Sequence, residues 1–124
     1  MKHHINFTKM VSIKRIFKAL IYSLNGIKYA FMNEPAFFQE ALLSLIIIPI
    51  ILILHTSIVC KLLLIGSVFL VMIVELINSA IEKICDLVCK EKNNYIKWAK
   101  DMGSSAVFLA ILNFLVWFAV VVVF

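Results

Sequence analysis

Glycine and proline are scarce in this chain, with 3 Gly and 2 Pro among 124 residues, and no stretch alternates apolar with polar side chains. Strand-built folds need both the turns and the alternation, so the chain reads as all-helical. Cysteine is scarce too. Cys60, Cys85 and Cys89 are too few for a disulfide framework. Cys85 and Cys89 lie one helical turn apart, but His3, His4 and His55 are not arranged to complete a zinc site around them, so all three read as reduced, packed thiols. No Gly-x-x-x-x-Gly-Lys-Ser/Thr loop and no protein-kinase signature occurs, which excludes the soluble nucleotide-binding folds that depend on them. There is no internal repeat, and no short apolar core with a cleavage site follows the basic opening, so no signal peptide is expected.

What the chain has in excess is apolar surface. Hydrophobic residues make up 64% of it, and the mean hydropathy is +1.05. A chain this short cannot bury so much apolar surface alone, and it reads as one integral membrane domain, residues 1–124. The formal net charge of +5 is unevenly placed. Lys2, Lys9, Lys14, Arg15, Lys18 and Lys28 precede the first apolar run, while Lys83, Lys90, Lys92, Lys97 and Lys100 fall between the second and third. By the positive-inside rule the N-terminus and the loop between the second and third spans are cytoplasmic. Anionic headgroups account for the charge, and no nucleic acid partner is expected.

In chain order, residues 1–7 read as a frayed terminus. Over 8–32, Ile13, Ile16, Phe17, Leu20, Leu24, Ile27 and Phe31 form one helical stripe, with Arg15, Lys18 and Tyr22 opposite. That pattern predicts an amphipathic helix lying in the membrane interface, where Arg15 and Tyr22 anchor to headgroups on residue type alone. Asn33, Glu34 and Pro35 break it, because a residue before proline leaves the helical region and proline suits the first turn of a new helix. Glu34 at this corner is either a capping carboxylate or a metal ligand. The first span is expected over 36–54, with Pro49 placed to kink it. A short turn at His55, Thr56 and Ser57 leads to the second, over 58–81 and extending to 88, in which Gly66 and Ser67 are small enough for close packing. A polar loop over 89–99 leads to the third span, over 106–124, where Asn113 serves as interhelical glue.

The second span ends unlike a membrane helix. On a helix of about 100° per residue, Glu75, Asn78, Ser79, Glu82 and Asp86 share one sector, and Leu76, Ile77, Ala80, Ile81 and Ile84 cover the rest. A carboxylate at the centre of a bilayer costs about 2.5–3.5 kcal/mol, so such residues are turned inward and functional. Glu34, Glu75, Asn78, Glu82, Asp86, Lys100 and Asp101 all come to the cytoplasmic level. Oxygen donors with a lysine and without clustered histidine suit magnesium and a polyphosphate. Glu75, the deepest acid, could take a proton from a lipid alcohol.

The run Glu75-Leu-Ile-Asn-Ser-Ala-Ile-Glu82, followed by Ala99-Lys-Asp-Met-Gly-Ser-Ser-Ala-Val107 and preceded by Asn33-Glu34 and Gln39-Glu40, resembles the small integral-membrane diacylglycerol kinases of bacteria. The resemblance covers about residues 8–123. It implies a homotrimeric bundle of an interfacial helix and three transmembrane helices per chain, with sites shared between neighbours, moving the γ-phosphate of ATP onto diacylglycerol to give phosphatidate. It implies Glu75 as general base, Glu34 and Glu82 as ligands of the Mg2+ on ATP, and Asn78 and Asp86 as supporting residues, Asn78 orienting the reacting groups. Nucleotide contacts fall by the same resemblance on Arg15, Tyr22, Glu34 and Glu82, and on Glu91, Lys92, Asn93, Lys100 and Asp101. Lipid contacts fall on Arg15, Ala19, Leu20, Ser23 and Leu24, on Ala36, Gln39 and Glu40, and on Glu75 and Ser104. Pro35 replaces a small alanine-like residue of the family pattern, and Asn93 a familiar histidine. Undecaprenol kinases share the Glu-x-x-Asn-x-Ala-Ile-Glu pattern and are the nearest alternative. A proton-coupled exporter would explain Glu75 but not the acids, amide and lysine gathered around it.

Overall fold

A computed structural model of the protein describes residues 12–124, so the expected frayed terminus and the first turn of the interfacial helix lie outside the described residues. Within them the fold is helical, built from α1 (Ile13–Asn33), α2 (Pro35–Ile53), α3 (Ile58–Val88) and α4 (Asn94–Val123). The last three are long and apolar enough to cross a membrane.

α1 buries only Ala30 and leaves Ile16, Phe17, Leu20 and Leu24 exposed. An apolar stripe that its own chain does not cover is what an interfacial helix presents to lipid. At the corner, Glu34 takes an extended backbone (φ −112°, ψ 103°), as the following Pro35 at the start of α2 requires. The Phe31 and Phe38 rings meet edge to face at 4.9 Å across the break and tie the two helices together. Glu34 makes no side-chain cap to α2, so its carboxylate is free for other work.

α2 stays helical through Pro49 to Ile53. In the turn that follows, the Ser57 hydroxyl accepts from the Cys60 amide at 3.2 Å and caps α3. The Lys61 ammonium donates to the Leu52 carbonyl at 2.7 Å, satisfying one of the orphan acceptors at the end of α2. Ile51, Leu64 and Val68 form the buried centre of this end of the bundle, packed against Phe114 and Trp117 of α4. α3 therefore lies between α2 and α4. Of the two small residues expected to allow close approach, Ser67 is buried, whereas Gly66 has no neighbour within 4 Å of where a Cβ would stand.

The connection between α3 and α4 is shorter than the expected 89–99, and α4 begins at Asn94 rather than Ala106. The Asn93 side chain accepts from the Tyr95 amide at 2.8 Å and caps the helix, while Ile96 and Ala99 are half-buried among the lysines. A helix that continues past its apolar segment carries Lys100 and Asp101 on a rigid element instead of a loop.

Candidate active site

The buried face of α3 is a single stripe that changes character along its length. Leu64, Ser67 and Val68 give way to Glu75, Asn78 and Ser79, and then to Cys85. Glu75 and Asn78 are each only 7% exposed. Burying a carboxylate and an amide is costly unless they are paired or used. Glu75 lies within electrostatic range of Glu82 on its own helix, of Glu34 at the α1–α2 corner and of Glu40 on α2. Three elements thus bring carboxylates within electrostatic range of Glu75, and a cation is the group that would relieve their repulsion.

Asn78 is confined on both sides but only weakly bonded. Its Nδ2 donates a long hydrogen bond to Glu82 Oε1 at 3.5 Å, and its Oδ1 is buried without a partner among the described residues. That oxygen lies directly against Gly103 of α4, at a point a Cβ on Gly103 would occupy. The glycine of the Lys-Asp-Met-Gly-Ser run is therefore there for close approach of α4 to the site amide.

Three of the lysines around this centre are paired. Lys100 donates to Asp86 Oδ1 at 2.5 Å, joining α4 to the end of α3. Lys97 reaches Asp101 at 2.7 Å, and Lys83 reaches Glu34 at 2.5 Å. A cleft of about 690 Å³ opens between the end of α3 and the start of α4, lined by Asp86, Glu91, Lys92, Asn93, Lys100 and Asp101 among others. A second cleft of about 460 Å³ separates α1 from α3 and includes Ser23, Tyr29, Glu34, Ser79 and Lys83.

The expected site residues therefore fall into groups. Glu34, Glu75, Asn78 and Glu82 converge, and Asp86, Glu91, Lys92, Asn93, Lys100 and Asp101 share the larger cleft. Arg15 and Tyr22 are exposed on α1 and line neither cleft; Ala19, Leu20 and Leu24 are exposed on the same helix, while Ser23 faces the Glu34 cleft. Ala36, Gln39 and Ser104 are exposed, and Glu40 is half-buried with Oε2 lacking a partner among the described residues. Lys83, Tyr29, Lys97 and the contact of Gly103 with Asn78 were not anticipated. Lys83 directly follows Glu82 in sequence, but its charge already had an explanation in membrane orientation.

Among the described residues no three His, Cys, Asp or Glu side chains gather closely enough to cage a metal. Glu34 and Glu82 offer oxygen only, which suits magnesium, an ion that keeps waters and substrate phosphates as ligands, and does not suit zinc. Glu34 already attracts a cation, the Lys83 ammonium, so the donor set fits.

Fold and site together define a multi-pass membrane protein with an acid-rich centre at one end of a helical bundle. The family model for prokaryotic diacylglycerol kinase matches residues 21–122, and the chain belongs to that family. It is 46% identical over 98 residues to the diacylglycerol kinase of Escherichia coli, covering 79% of this chain and 80% of the relative. Against that of Pseudomonas aeruginosa it is 44% identical over 105 residues, 85% of each chain. The Haemophilus influenzae diacylglycerol kinase is 40% identical over 103 residues, 83% of this chain and 87% of the relative.

Proposed function

We propose that this protein is an ATP-dependent diacylglycerol kinase that transfers the γ-phosphate of ATP to the free hydroxyl of diacylglycerol, making phosphatidate. Membership of the family and the names of its relatives support the activity and the lipid. The observation that carries the chemistry is Glu75, buried beside Asn78 and within range of Glu82 where α3 leaves its apolar segment.

Glu75 accepts the hydroxyl proton as the lipid oxygen attacks the γ-phosphorus, and the bond to the bridging oxygen of ADP breaks. Asn78, confined between Glu82 and Gly103, orients the reacting groups. Glu34 and Glu82 would hold the magnesium carried by ATP, and the ion would neutralise charge on the phosphates. Lys100, with Glu91, Lys92, Asn93 and Asp101 in the same cleft, binds the nucleotide, and its bond to Asp86 presets where the ammonium stands. Arg15 and Tyr22 join the nucleotide from α1. The exposed faces of α1 around Ala19, Leu20, Ser23 and Leu24, and of α2 around Ala36 and Gln39, meet diacylglycerol and membrane lipid.

Three copies form the working enzyme. In support, only 6% of the apolar window of α4 is buried within one chain, leaving its surface for lipid or for neighbouring copies. The trimer lies in the bacterial inner membrane with the N-terminus and the α3–α4 connection in the cytoplasm, as the distribution of lysine and arginine supports.

The test is phosphate transfer from magnesium-ATP by the purified protein in mixed micelles, with diacylglycerol and undecaprenol offered side by side. Phosphatidate as the main product supports the proposal. Phosphorylated undecaprenol would move the protein to another lipid, and no transfer to either would refute kinase activity.

A further inference from the structure

Lys83 has no part in the mechanism above, yet it makes the closest contact to one of the acids that mechanism uses. Its Nζ lies 2.5 Å from Glu34 Oε1. The Glu34 side chain is 16% exposed and that of Lys83 is 50% exposed, so the acid is sheltered while the ammonium retains a path to water. An ammonium this close to a carboxylate oxygen is held by charge and lies within hydrogen-bond reach of it. The lysine is steadied from the other side by the face of Tyr29, whose ring centre is 5.1 Å from Nζ. Both groups face the cleft between α1 and α3.

We propose that Lys83 is a positioning residue that acts as a built-in competitor for the metal: its ammonium occupies Glu34 when no substrate is bound and gives way when magnesium arrives with ATP. The inference rests on the reading of Glu34 as a ligand of that magnesium. Three observations support it. Glu34 does not cap α2, so the helix makes no competing claim on the carboxylate. The pair is a single contact, one ammonium on one carboxylate oxygen, so another cation can replace it at the cost of one interaction. Lys83 is half-exposed on a flexible stem, so withdrawing it to water and to the Tyr29 face costs little, in keeping with the small worth of exposed ion pairs. While it is in place, the lysine also limits repulsion between Glu34 and the nearby Glu75. The acids can then stay gathered before substrate binds. The consequence is a metal site tuned to be weaker than its carboxylates alone would make it.

The experiment uses Mn2+ as the probe, titrated into the full-length protein in detergent micelles with a non-hydrolysable ATP analogue and followed by electron paramagnetic resonance. Lys83→Met should tighten Mn2+ binding about three- to fivefold, the equilibrium equivalent of releasing a half-exposed ion pair. Lys83→Arg, which keeps the charge, should bind Mn2+ as the unaltered protein does. The gain in Lys83→Met should vanish when Glu34→Gln is added. Unchanged or weaker Mn2+ binding in Lys83→Met, tightening in Lys83→Arg, or a gain that survives Glu34→Gln would overturn the proposal. Glu34→Gln alone separates this failure from that of the underlying reading: if it leaves Mn2+ binding untouched, Glu34 is not a ligand and both fall.

Discussion

Gly103→Ala tests how the site amide is held. In α4 the new methyl would stand against Asn78 Oδ1 well inside van der Waals separation, with Asn78 Cγ at 3.4 Å and Ile81 Cδ1 at 3.9 Å. Asn78 is 7% exposed and cannot swing into solvent, so it must shift within the site and strain its already long bond to Glu82. Overpacking of this kind costs about 1–3 kcal/mol. The stretched bond to Glu82 adds no more than about 1 kcal/mol. Against this, replacing a helical glycine with alanine returns about 1 kcal/mol. The terms together give a net loss of about 0–3 kcal/mol, with the steric term the largest. If Asn78 orients the reacting groups, displacing it should lower kcat about tenfold, the equivalent of about 1.4 kcal/mol in the barrier. Gly66→Ala is the matched control, because nothing within 4 Å meets its methyl and the propensity term acts alone. The assays are phosphate transfer in mixed micelles and unfolding in denaturing detergent followed by tryptophan fluorescence. A Gly103→Ala protein with unchanged kcat and stability equal to Gly66→Ala would refute the reasoning.

Glu82→Gln should raise the magnesium concentration needed for half-maximal turnover, read from a titration at fixed ATP, because one of two proposed oxygen ligands loses its charge. Lys100→Met should raise KM for ATP about tenfold with a smaller change in kcat, since it removes a cation from the nucleotide cleft and leaves Asp86 unpaired. Ser57→Ala should cost about 1 kcal/mol of stability with kcat unchanged, because the Cys60 amide loses its cap far from the acids.

The sequence announces its membrane spans through long apolar runs and its first corner through Asn33-Glu34-Pro35, because both signals are local. The acidic face of α3 is legible for the same reason, as one helix repeats its own geometry. The start of α4 is less so: Asn94 to Ser105 is polar enough to read as loop, and only the Asn93 cap and the half-buried Ile96 and Ala99 mark it as helix. Contacts between elements are harder still. Lys83 meets Glu34 across the α1–α3 cleft, and nothing in the spacing of the two residues announces it. Gly103 is visible as part of a motif, but its reason, the Asn78 oxygen beside it, exists only once α3 and α4 pack together. Glu34 shows how structure narrows a choice that sequence leaves open, since its carboxylate pairs with Lys83 and does not cap α2.

The central claim is that Glu75 takes the proton from the lipid hydroxyl, and Glu75→Gln in a single-turnover experiment tests it most directly. The account predicts that the variant folds and binds magnesium-ATP with nearly unchanged affinity, while phosphatidate formation falls by about 10²- to 10⁴-fold, the usual worth of a general base. Phosphatidate formed at close to the normal rate would contradict it, and would leave the most deeply buried acid of the site without a chemical role.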